Sequence, residues 1–206
     1  MMLLVSGATR NVAAADPRRV GLLLTPRDRC LVRDDRPRAI DNGAYRGFDE
    51  PAFVRLLERE RGRPGCLFVA APDVVGDHDA TIRQFHIWRF VIASMGFPVA
   101  FVLQNGCTVD AVPWSACDAV FVGGDTAFKL SADVDAILDR AAQLHKWRHV
   151  GRVNTRRRMR HFRGRADSID GSGFSQWPRR IDRAVHWLRD LEQQPALPRL
   201  DYEVAR

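Results

Sequence analysis

The segment Val99–Asp125, VAFVLQNGCTVDAVPWSACDAVFVGGD, decides the fold. It contains two short apolar runs, Val99–Leu103 and Ala119–Val122. Amides or glycines close each run: Gln104-Asn105-Gly106 after the first, Gly123-Gly124-Asp125 after the second. A strand with one wet face alternates apolar and polar residues, whereas an unbroken run fits a parallel strand covered on both faces. The same signature recurs at Leu3–Val5, Gly21–Leu24, Ala39–Ile40, Leu67–Ala71, His149–Val153 and Ser168–Ile169.

Helical patterns lie between the later runs. Asp49 is placed to cap a helix running to Arg61, with Pro51 in its first turn and Phe53, Leu56 and Leu57 inward. Asp77–Met95 carries Ile82, Phe85, Trp88 and Ile92 on one stripe. Ser131 opens a helix to about His145, and Trp177–Gln193 reads as a last amphipathic helix led by Pro178. Alternating strand and helix predicts a parallel α/β sheet, and eight strands predict a compact (β/α)8 TIM-type barrel. A doubly wound open sheet is the alternative and would need fewer of the runs to be strands. The first two crossovers are too short for full helices, so the N-terminal third is expected to be irregular. The 206 residues fit one domain spanning 1–206, with the polar, Pro-containing end Pro195–Arg206 as a loose tail.

The balance of 32 Lys+Arg against 25 Asp+Glu gives a net charge of +7, nearly all from arginine. Such a surface suits a polyanion, because each cation set on a phosphate releases condensed counterions. An arginine-rich background composition is the other reading. The four cysteines, at 30, 66, 107 and 117, form no CxxC pair and lie at no short spacing from histidine, so zinc-site and disulfide patterns are both missing. Cys66 reads as core, and Cys107, after a strand end, as partly exposed. The start MMLLVSGATR has no basic leader, and no apolar stretch reaches the length of a membrane span. A soluble, cytoplasmic protein is expected.

In a parallel barrel the working residues sit at the carboxyl ends of the strands. In this chain those ends read Asp41-Asn42-Gly43-Ala44-Tyr45, Pro72-Asp73, Gln104-Asn105-Gly106, Gly123-Gly124-Asp125, Asn154-Thr155 and Asp170-Gly171-Ser172-Gly173. Each alone has a local explanation: Asp-Asn-Gly is a turn signal, Gly-Gly-Asp a loop signal, and an aspartate before a helix a cap. Their joint position after core runs predicts one polar cavity. Two carboxylates there can divide nucleophilic and acid–base work, as glycosidic cleavage requires. Amides and glycine backbone can hydrogen-bond the edge of a flat heterocycle, which must first leave its stack.

The order DNGAY, APD, LQNG, VGGD and SIDGSG resembles the tRNA-guanine transglycosylases. It is closer still to their short phage and bacterial relatives that insert 7-deazaguanines into DNA. The match spans roughly residues 38–175. The resemblance implies Asp170 as nucleophile, Asp41 as general acid/base, and Asp73, Gln104, Gly123 and Gly124 as base-binding residues. Tyr45, in the Asp41 turn, is the candidate for stacking on the base; Phe48 and Trp177 are read as core. This chain departs from the tRNA enzymes in lacking their cysteine-rich zinc site and much of their length. That favours DNA as substrate, with tRNA as the alternative. It also implies a free 7-deazaguanine such as preQ0 as co-substrate, with no metal or organic cofactor. Arg152 lies within the seventh run, and Arg156, Arg157, Arg158, Arg160 and Arg163, together with Arg165, lie between it and the eighth. They are candidate phosphate contacts, with a solvated helix face as the plainer reading. A catalytically idle nucleic-acid-binding subunit is one rival. A small-molecule aldolase or hydrolase is another, and it is disfavoured because neither lysine, Lys129 nor Lys146, ends a strand.

Overall fold

A computed structural model of the chain describes residues 1–7, 12–27, 36–175 and 178–193. Cys30, Trp177 and the proposed tail from Pro195 lie outside the described residues. Eight strands close into an all-parallel barrel in chain order: β1 Met2–Val5, β2 Val20–Leu24, β3 Arg38–Ile40, β4 Cys66–Ala70, β5 Val99–Leu103, β6 Ala119–Val122, β7 Trp147–Val150 and β8 Ser168–Asp170. The ring closes where Leu3 of β1 pairs with Ile169 of β8. The predicted barrel is therefore present. Its seventh strand begins two residues earlier than the apolar run indicated, because Trp147 and Arg148 pair with Ala119 and Val120.

The helices are α1 Glu50–Glu60, α2 His78–Ser94, α3 Thr126–Lys129, α4 Ala132–Gln143, α5 Arg156–His161, α6 Ser172–Ser175 and α7 Pro178–Gln193. Their starts follow side-chain chemistry. Asp49, Asp77, Asp125, Ser131 and Thr155 each accept a hydrogen bond from a backbone N–H of the first turn. Among the described residues neither of the first two crossovers carries a full helix.

Strand residues alternate between two cores, as period-2 geometry requires. Leu4, Leu23, Ala39, Phe68, Ala70, Ala100, Val102, Ala119 and Phe121 fill the barrel. Their neighbours Val5, Val69, Phe101, Leu103 and Val120 meet Phe53, Leu57, Phe85, Ile92, Ile137 and Leu138 from the helices. Phe48 packs edge-on against Phe53 and Trp88 at 5.7 and 5.4 Å, so it belongs to this outer core as read. Cys107 is fully buried, not partly exposed, because the chain after β5 turns back on itself through the Cys107 N–H bond to the Gln104 carbonyl. Burial pushes the Cys107 thiol up to about 12. No helix among the described residues is long and apolar enough to cross a membrane.

Candidate active site

A cavity of about 100 Å³ opens at the carboxyl ends of the strands. Asp41, Asn42, Tyr45, Asp73, Gln104, Gly123, Gly124, Lys129, Arg152 and Asp170 contribute to its lining. Each residue proposed as catalytic or base-binding thus reaches one space. The cavity shares Asp41, Asn42, Tyr45, Arg152 and Asp170 with a larger groove of about 630 Å³, which Arg27 and Arg46 also line.

One wall is a hydrogen-bonded amide–carboxylate network. Asn42 Nδ2 donates to the Ala71 carbonyl and to Asp73 Oδ1, both at 2.8 Å, and its Oδ1 accepts from Ala44 N. Gln104 Nε2 donates to Asp73 Oδ2 at 2.6 Å while its Oε1 accepts from Gly76 N. The Asp73 carboxylate is held flat between two amides, and its remaining lone pairs can face a ligand. Burial raises the Asp73 pKa, against the lowering effect of Asn42 and Gln104. Asn42 is the hub of this wall. The sequence marks it only as a turn residue, since nothing local distinguishes a turn asparagine from one that reaches across to a neighbouring strand.

The glycines follow from this wall. A Cβ at Gly123 would stand 2.8 Å from Gln104 Nε2, so only glycine leaves the amide its room. Gly124 adopts φ +69°, and a Cβ there would meet Phe128 at 2.6 Å. The Gly123 N–H is taken by the Leu103 carbonyl, so of the two it is the Gly124 N–H that has no protein acceptor among the described residues. Asp125 does not join the cavity. It caps α3 and exchanges hydrogen bonds with Asn105, which lowers its pKa.

The two candidate aspartates enter three strands apart around the barrel, Asp41 after β3 and Asp170 at the end of β8. Asp41 Oδ1 accepts from Gly43 N at 2.8 Å. Asp170 Oδ1 accepts from Arg152 N at 3.0 Å, and its Oδ2 lies 3.0 Å from His149 Nε2. Arg152 takes φ +63° to deliver that N–H, a left-handed conformation unusual outside glycine. Its guanidinium lies 4.3 Å over the ring of Tyr45, which is 65% exposed at the rim.

Lys129 reads in the sequence as a residue of loop or helix, yet it lines the cavity at 6% exposure. Burial pushes its ammonium down to about 8; the Asp170 carboxylate pulls the other way, and Arg152 and Arg158 add to the lowering. The available signal was composition. Lysine is rare in a chain whose cations are nearly all arginine, but Lys146, the other lysine, bonds the Cys117 carbonyl away from the cavity, so rarity alone does not mark Lys129.

The arginine run divides. Arg152 is at the mouth, and Arg158 bonds Thr126 Oγ1 and the Arg152 carbonyl beside it. Arg156 turns outward to Asp190 at 3.1 Å, and Arg165 pairs with Asp135. Arg157 and Arg160 are exposed on α5, and Arg163 is half-buried. Among the described residues, no group of histidine, cysteine and carboxylates is arranged to hold a metal.

No family model matches the chain, and no curated protein matches it. A solved structure described as "Native KDPGal structure" is similar over 93% of each chain, with a TM-score of 0.54 and 13% sequence identity. That likeness shows the barrel fold alone.

Proposed function

We propose that the chain is a transglycosylase that exchanges guanine in DNA for a 7-deazaguanine such as preQ0. The observation that carries this reading is the single cavity in which Asp41 and Asp170 flank the Asn42–Asp73–Gln104 wall. Guanine-type bases present N1–H and N2–H donors on one edge, and a fixed carboxylate with free lone pairs is their natural acceptor. In this reading Asp170 attacks C1′ of the target nucleoside and the C1′–N9 bond breaks. The departing base takes its proton from Asp41. The incoming base then loses its N9 proton to Asp41, attacks C1′ and releases Asp170. The Arg152 N–H holds Asp170 Oδ1 in place at 3.0 Å, and Lys129 lines the same cavity. The larger groove with Arg27, Arg46 and Arg152 suits the phosphates on either side of an extruded nucleotide.

Incubation with labelled preQ0 and either DNA or tRNA tests the proposal. Label in DNA is expected; label in tRNA alone moves the substrate, and label in neither rejects the exchange. A second reading comes from Lys129. A buried amine titrating near 8 can condense with a carbonyl, which returns small-molecule aldolase-type chemistry to consideration. Borohydride reduction with pyruvate would then leave a stable adduct on Lys129, and none is expected if base exchange is the activity.

A further inference from the structure

One polar column climbs the inside of an otherwise apolar barrel. Trp147 and His149 of β7 share the inward face, as do Ser168 and Asp170 of β8. Trp147 Nε1 donates to Ser168 Oγ at 2.9 Å. Ser168 Oγ lies 2.9 Å from His149 Nδ1, and His149 Nε2 lies 3.0 Å from Asp170 Oδ2. The imidazole is wholly buried, with Phe68 and Phe121 at 5.2 and 4.5 Å.

Both ends of the column have fixed polarity. An indole N–H only donates, and a carboxylate only accepts. One arrangement satisfies every group: Trp147 N–H to Ser168 Oγ, Ser168 O–H to His149 Nδ1, and His149 Nε2–H to Asp170 Oδ2. An imidazolium would place a second N–H on Ser168 Oγ and turn the hydroxyl proton away from its acceptor, inside an apolar barrel where an unmade hydrogen bond is costly. The column therefore selects the neutral Nε2–H tautomer.

We propose that His149 is a positioning residue for Asp170. Its Nε2–H holds Oδ2 while the Arg152 backbone N–H holds Oδ1, so the carboxylate is fixed against rotation beneath the reacting sugar. This rests on Asp170 being the nucleophile. The strained backbone of Arg152 fits the same purpose, since it exists to deliver the second donor. A fixed nucleophile raises the rate by reducing the reorientation needed to reach the transition state. The other charged groups facing this end of the cavity, Lys129, Arg152, Arg158 and Asp41, are unchanged in the variants below.

Imidazole 15N and aspartate 13C NMR on the full chain test the positioning without any substrate. His149 is expected as the neutral Nε2–H tautomer that the column selects. His149→Leu should raise the Asp170 titration midpoint by about one unit, because the carboxylate loses a donated hydrogen bond. His149→Gln, whose amide can donate to Asp170 and accept from Ser168, should restore it. In base exchange, His149→Leu should lower kcat about 10- to 100-fold with KM nearly unchanged, and Gln should recover most of the loss. An imidazolium at pH 7, or an Asp170 midpoint unmoved by His149→Leu, overturns the proposal. A wild-type protein that exchanges no base defeats the functional reading, while the NMR still decides the role of His149. If His149→Leu does not fold, Trp147→Phe removes only the terminal donor and should raise the His149 midpoint; an unmoved midpoint counts against the column.

Discussion

At the amino-terminal end of the strands Arg38 is wholly buried, with its Nε 3.0 Å from Glu60 Oε2 and its Nη1 on the Pro64 carbonyl. At the carboxyl end Lys129 is nearly as deep but makes no ion pair among the described residues, and its amine faces a cavity. Arg38 and Glu60 neutralise each other, so their charges hold the floor of the barrel together. Lys129 bears the cost of burial without such neutralisation, which is tolerable only where a ligand or the adjacent Asp170 uses the charge. Arg38 is thus a buried charge neutralised within the fold, and Lys129 a buried charge left facing a cavity.

Substitutions at the two ends should have opposite effects. Asp170→Asn at the mouth should lower base exchange by on the order of 10⁴-fold or more and abolish any covalent DNA adduct, with stability changed by only about 1 kcal/mol. Turnover and urea unfolding on the same preparation check both halves. Glu60→Ala at the floor should do the reverse. Stripping the partner from a buried guanidinium is expected to cost about 3–5 kcal/mol of stability while the folded fraction keeps its turnover, and replacing both Arg38 and Glu60 by apolar residues should recover most of the loss.

Lys129 should make stability depend on pH. Near neutrality both folded and unfolded chains hold its proton, and the folded chain bears the burial cost. Between about 8 and the ordinary lysine value the unfolded chain still binds the proton that the folded chain has released, so stability should rise with pH across that window. Lys129→Met should remove the rise and stabilise the protein near neutrality by up to about 3 kcal/mol, as read from urea midpoints at several pH values. The smallest effects belong to the exposed arginines. Arg157→Ala with Arg160→Ala should reduce the salt slope of DNA binding by roughly one for each phosphate that is no longer neutralised, whereas Arg156→Ala, already paired with Asp190, should change it less. Equal slopes for all three would mean that α5 does not touch DNA.

Much of the site was legible because a parallel barrel places strand ends on one face. Once the apolar runs are strands, Asp41, Asp73, Gln104, Gly123 and Asp170 must converge. Asp125 shares the same sequence position yet caps α3, because a short helix begins immediately after it. Lys129 carries no such mark in the sequence: it ends that short helix, and the helix turns it back over the mouth. Arg156 and Arg165 look like neighbours of Asp170 along the chain. The acids that engage them, Asp190 and Asp135, come from helices remote in sequence.

The eight parallel strands and the residues at their ends can be read along the chain, since burial on both faces writes apolar runs and a polar or glycine residue closes them. Tertiary structure alone decided which partner each polar group meets. Asn42 reaches Asp73, His149 reaches Asp170 and Lys129 comes to the cavity from segments well separated in the chain, brought together by barrel closure and not by local chain chemistry.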